Sequence, residues 1–175
     1  MARLIPTLAT AGRLPLEIGD TILEDAQPEA ITWVAPFDRK MTAVKKTLGG
    51  FPGPGQVVEV TAGRALSVGP GQALILGAPV TCDGAAVVDQ SDGWTMVALD
   101  GASARDVLAR LTPLDLRDSA LPEGATARTL IGHMTASLTR VGPYRFEIMV
   151  FRSMTDTLLH ELQHAMTQVA ARAKL

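Results

Sequence analysis

From Val87 the chain runs VVDQSDGWTMVALDGASARDVLARLTPLDL and, after a polar loop, ARTLIGHMTASLTRVGPYRFEIMVF, and its hydrophobic period changes twice on the way. Trp94–Leu99 is apolar on both alternating faces, the pattern of an inner strand. Ser103 stands three residues before Asp106, an S-x-x-D capping signal for a helix with Val107, Leu108 and Leu111 inward and Pro113 as its end. Arg128–Ile131, Thr135–Val141 and Tyr144–Phe151 then read as strands, with Gly142–Pro143 turning between the last two. In the final strand Phe146, Ile148 and Val150 share one face, and Arg145 and Glu147 share the other. Ser153 and Asp156 repeat the capping signal ahead of a helix to about Ala171. Its predicted buried stripe is Met154, Leu158, Leu162, Ala165, Met166 and Val169.

The first half shows the same order. Residues 1–29 carry no sustained period and read as an extended arm, with a short strand around Leu16–Ile18. Ile31–Val34 is a strand ended by Pro36; Met41, Val44 and Leu48 recur at helical spacing, and Gly49–Gly50 stops that helix. Val57–Thr61, Ala65–Val68 and Ala73–Leu76 read as strands, and Val80–Val88 as a bridge to the second half. The expected fold is α+β, with two strand–helix–strand lobes and largely antiparallel sheets. Residues 30–80 make the first lobe and 81–175 the second, packed as one compact domain whose sheets are expected to run on as one.

At 175 residues with 47% apolar side chains the chain can bury a real core. A formal charge of -2 argues against a nucleic-acid binder, which would normally show a basic face. No apolar run has the length of a membrane span, and the first twenty residues lack the apolar core of a signal peptide. The single cysteine, Cys82, cannot form an internal disulfide and fits a cytoplasmic location.

The sharpest chemical pattern is His160-Glu161-Leu162-Gln163-His164, the H-E-x-x-H spacing in which two histidines hold zinc and the glutamate is the base. Nothing after His164 offers a third ligand; His133 or Asp156 would have to serve. Both histidines also project away from the predicted apolar stripe, where no cleft would shield a metal. Solvent-facing or partner-facing histidines are the expectation, and a zinc hydrolase the third-ranked reading. Cys82 beside Asp83 lacks nucleophile context, because a neighbouring carboxylate raises a thiol's pKa. Asp89, Asp92 and Asp100 flank the central strand and could face a ligand pocket, but Asp89–Gly93 reads first as a polar turn. Trp33 and Trp94 read as core anchors and His133 as a structural or surface residue. No catalytic, cofactor-binding or metal residue is assigned.

The stretches VVDQSDGWTMVALDGASARDVLARLTPLDL and ARTLIGHMTASLTRVGPYRFEIMVFRSM resemble the gamma subunit of heterotetrameric sarcosine oxidase, a relative of the folate-binding glycine-cleavage T-protein family. The likeness runs from about Ala65 to the C-terminus. Where many members carry a W-L-G-P-D-E-W-like run, this chain has Leu66–Leu74, which keeps the Gly69–Pro70 turn and lacks the acidic pair and aromatics. The resemblance implies a non-catalytic, assembly-supporting subunit of a cytoplasmic complex with alpha, beta and delta partners. Such a complex demethylates sarcosine oxidatively to glycine, releases hydrogen peroxide, and passes the one-carbon unit to tetrahydrofolate. FAD, FMN, NAD and tetrahydrofolate are then expected in the partner subunits. The alternative is a stand-alone tetrahydrofolate-binding or aminomethyl-transfer protein, in which an acidic residue near the start of the second module would hold the pterin.

Overall fold

The computed structural model describes residues 7–173. It holds two antiparallel sheets stacked face to face, with one helix on the outer side of the smaller and two on that of the larger. The larger sheet is built from β1 (Leu16–Ile18), β2 (Thr21–Asp25), β8 (Trp94–Gly101), β9 (Thr126–Ile131), β10 (Met134–Arg140) and β11 (Arg145–Phe151), in the order β1-β2-β8-β11-β10-β9. The smaller contains β3 (Ala30–Pro36), β4 (Val57–Val60), β5 (Gly63–Gly69), β6 (Gln72–Gly77) and β7 (Ala85–Asp89), in the order β4-β5-β6-β3-β7. The helix α1 (Met41–Leu48) covers the smaller sheet; α2 (Ala104–Leu108) and α3 (Thr155–Arg172) cover the larger.

Three apolar layers follow from strand alternation. Val97, Leu99, Phe146, Ile148 and Val150 point from the larger sheet onto Val107, Leu108, Leu158, Leu162 and Met166 of its helices. Trp94, Met96 and Met149, on the opposite face of the same strands, meet Ile31, Leu66, Leu74 and Leu76 of the smaller sheet. Val34, Ala65, Ala73 and Ile75 turn outward to Val44 and Leu48 of α1. The strands β8 and β11 are therefore apolar on both faces because each face has its own core.

The α+β class and the antiparallel sheets stand as expected. One continuous sheet does not form; the two halves make separate sheets, since the residues that would join them instead face each other across the Met96–Met149 layer. The expected arm supplies the β1–β2 hairpin, whose Thr21–Asp25 pairs antiparallel with Val97–Gly101, so that Leu23 is fully buried. The expected bridge at Val80–Val88 contains β7, which pairs with β3 through Trp33↔Val88 and Val34↔Val87.

Neither S-x-x-D signal caps its helix. The Ser103 amide and hydroxyl both donate to Asp20 Oδ2, at 3.1 and 2.9 Å, and so tie the start of α2 to the β1–β2 turn. Before α3 a single 3-10 turn, Arg152–Met154, intervenes, and Thr155 donates back to the Arg152 carbonyl at 2.7 Å. That turn swings Met154 out to solvent, and Thr155 and Leu159 take up buried positions beside Leu158 and Leu162. No helix among the described residues is long and apolar enough to cross a membrane.

Candidate functional site

The H-E-x-x-H residues lie on the outer surface of α3. His160 and His164 are exposed, their rings nearly parallel and 6.5 Å apart, and His164 Nε2 contacts the Gln168 side chain. Leu158, Leu162 and Met166 occupy the opposite, buried side of the helix. The suggested third ligands do not converge on them. Asp156 pairs with Arg13, and His133 sits exposed in the β9–β10 turn. Among the described residues no group of three or more histidine, cysteine or carboxylate side chains is arranged to hold a metal.

The three aspartates do not share a pocket either. Asp92 lies in a 3-10 turn before β8 and Asp100 near the far end of that strand, about 25 Å apart at the rise of an extended chain. Asp89 accepts from the Ser91 amide and hydroxyl at 2.9 and 2.6 Å, and these two bonds hold its carboxyl below the usual range. The Ser91 hydroxyl in turn accepts from the Ile31 amide at 3.0 Å, so this polar turn stitches β7 to β3. Asp100 faces Arg145, whose Nη1 donates to it at 3.1 Å and to Glu24 at 2.9 Å. The arginine thereby ties β2, β8 and β11 together on one face. The Cys82 thiol is pushed up, first by burial and then by Asp83. None of these groups is set up as an acid, base or nucleophile.

The strongest polar features are ones that residue spacing did not single out. Arg140, 4% exposed, lies among the Leu121, Gly142 and Pro143 carbonyls and donates to Asp118 Oδ1 at 2.7 Å. Asp118 also pairs with Arg105 of α2. The two arginines lower its carboxyl pKa, Arg105 the more. Arg140 thus fastens the long loop after α2 to the β10–β11 turn. Between the sheets, Arg64 of β5 stands 2.5 Å from Glu147 of β11, near Thr126, Ser137 and Thr139, which bond to one another. The only advance signal for these was the outward register of Glu147; its partner lay 83 positions away in sequence.

A further feature is a shallow groove beside the 3-10 turn, where the polar turn residues Asp89 to Gly93, with the carboxylates of Asp89 and Asp92, face Val88, Trp94 and Phe151. The Trp94 and Phe151 rings stack at 4.5 Å. Trp94 is buried, as a core anchor should be, whereas Trp33 is only partly covered and donates from Nε1 to Gln72 at 3.3 Å.

The buried and half-buried charges Arg64, Glu147, Arg140 and Arg145 thus hold strands and loops together. A family model described as "Sarcosine oxidase, gamma subunit family" matches residues 57–168, more than half of the chain. The chain belongs to that family. The family match takes in β4 to β11 and most of α3, which is the sheet framework and not an isolated motif. Among solved structures the chain is similar to a heterotetrameric sarcosine oxidase from Corynebacterium sp. U-96, determined in complex with pyrrole 2-carboxylate. The TM-score is 0.76 at 22% identity, over 86% of this chain and 85% of that one. At that identity the likeness establishes a shared fold. No curated protein sequence matches significantly.

Proposed function

We propose that this chain is the assembly-supporting, non-catalytic gamma subunit of a heterotetrameric sarcosine oxidase. The family match over residues 57–168 carries the reading. The site geometry supports it: the histidines, aspartates and cysteine that could do chemistry are dispersed, and the arginines and carboxylates that are concentrated serve to pin strands. In this reading the alpha, beta and delta partners hold FAD, FMN, NAD and tetrahydrofolate and carry out oxidative demethylation of sarcosine in the cytoplasm. The smaller sheet, from residues 30–89, and the larger sheet, from β1, β2 and residues 94–151, then act as two layers of one supporting body.

Co-expression of the tagged chain with its candidate partners tests this. Flavoprotein subunits should be recovered with it, and the purified chain alone should release no hydrogen peroxide from sarcosine. Saturable calorimetric binding of tetrahydrofolate by the chain alone would overturn the reading in favour of a folate-binding protein.

A further inference from the structure

The two sheets do not end together. On the face of the larger sheet that looks toward the smaller one, side chains alternate in register from Met96 to Trp94 on β8, from Met149 to Phe151 on β11 and from Arg128 to Leu130 on β9. Met96 and Met149 are fully covered by the smaller sheet. One step further along, Phe151 is 47% and Leu130 44% exposed, and Val88, on the inward face of the edge strand β7, is 47% exposed. An interior surface therefore continues past the edge of the body that covers it. Trp94 is itself buried there, between Phe151 and Arg128, whose guanidinium carbon lies 5.6 Å from the indole centroid.

Charge adds direction to this surface. Arg64, Arg140 and Arg145, the other arginines of these strands, each face a carboxylate. Arg128 is exposed and makes no ion pair among the described residues, and its guanidinium lies over the face of Trp94. An aromatic pair, flanking aliphatic residues and an unpaired arginine make up the composition that concentrates binding energy at protein interfaces.

We propose that this uncovered end, centred on Trp94 and Phe151 with Val88, Leu130 and Arg128 around them, is the seat of a partner-subunit segment. That segment presents a large apolar side chain to the Trp94–Phe151 groove and a carboxylate to Arg128. The proposal rests on the subunit reading above.

The test co-expresses the full set of subunits with the tagged chain carrying Phe151→Glu, Leu130→Glu or Arg128→Glu. Tyr144→Glu serves as control, because Tyr144 is 56% exposed but lies in the turn just before the opposite end of β11. Circular dichroism melting identifies the variants that fold; Leu130→Glu and Arg128→Glu, both at exposed side chains, keep the test open if Phe151→Glu does not. The expected result is an affinity for the partner at least tenfold weaker in the folded groove variants and unchanged in Tyr144→Glu. Groove variants that retain the partner like wild type overturn the surface and leave the subunit reading standing. A wild-type chain that recovers no partner removes the subunit reading itself. A homodimer of the isolated chain that Phe151→Glu dissolves makes the occupant a second copy and also overturns the proposal.

Discussion

Arg64 on β5 and Glu147 on β11 meet across the space between the two sheets, Nη2 to Oε2 at 2.5 Å, in charge contact but outside hydrogen-bond alignment. Both side chains are largely removed from water. Removing one partner therefore strands the other, whereas replacing both with apolar groups does not. Arg64→Met should cost about 2–3 kcal/mol, below the range for a fully buried pair because the arginine keeps some solvent. Arg64→Met with Glu147→Leu should regain most of that loss. Urea denaturation of the four proteins in this cycle measures it, and additive losses would show that the two charges are not coupled.

Arg140 presents the steeper case. Truncation to Ala removes its hydrogen bonds to the Leu121, Gly142 and Pro143 carbonyls and to Asp118. We expect a loss of about 3 kcal/mol, with Arg140→Lys recovering only part because an ammonium cannot reproduce the guanidinium fork. The urea midpoint reads this directly; a shift equivalent to less than 1 kcal/mol (~25% of the fully buried pair range) contradicts it.

Acid should erode stability through the depressed carboxyls. Arg117 holds Asp115 at about 2, and Arg105 with Arg140 holds Asp118 below its usual range. A carboxyl with a lowered folded pKa adds stability above its unfolded value near ~4, and loses it as pH falls through the folded value. From these two groups melting temperature should not vary between pH 5 and 8, and should fall below about pH 4. Asp118→Asn should flatten part of that acid limb; an unchanged limb in that variant would remove Asp118 as a contributor.

Gly101 closes the β2–β8 pairing at φ +132°, where an added Cβ would stand 2.1 Å from the Asp20 carbonyl oxygen. The obstacle is backbone, not a flexible side chain. Gly101→Ala should destabilise by more than about 2 kcal/mol through combined strain and clash. Thermal melting checks it, and a variant as stable as wild type would mean that the hairpin shifts freely.

On α3 the two sides of the helix should behave oppositely. Leu162→Ala, in the core, is expected to cost about 2–5 kcal/mol. His160→Ala with His164→Ala should change stability by less than about 0.5 kcal/mol. Sarcosine turnover by the assembled complex should also be unaltered. Stoichiometric zinc in the wild type that this double variant loses would reinstate the metal reading.

Residue patterns carried the strands well wherever burial alternates or is continuous, as in Trp94–Leu99 and Phe146–Val150. They also carried the exposure of His160 and His164, because a buried stripe on one side of a helix settles the other. They did not carry β7, a five-residue edge strand with no fully buried side chain to mark it. The serines misled for a tertiary reason: Asp20, 83 residues before Ser103, competes for the groups that local capping would use. The groove was invisible for a related reason, since Phe151 and Arg128 reach Trp94, and Val88 lines the same groove, only through three strand registers and the unequal extent of two sheets.

The order β1-β2-β8-β11 makes the opening strands of the chain wait for its closing ones. During synthesis Leu16–Asp25 leaves the ribosome some seventy residues ahead of its β8 partner and more than a hundred ahead of β11. Such separations slow folding, because chain ends must be brought together before any contact rewards it. The larger sheet is thus completed only once Arg145–Phe151 has been made, and a nascent chain halted before Arg145 leaves one edge of β8 open to aggregation.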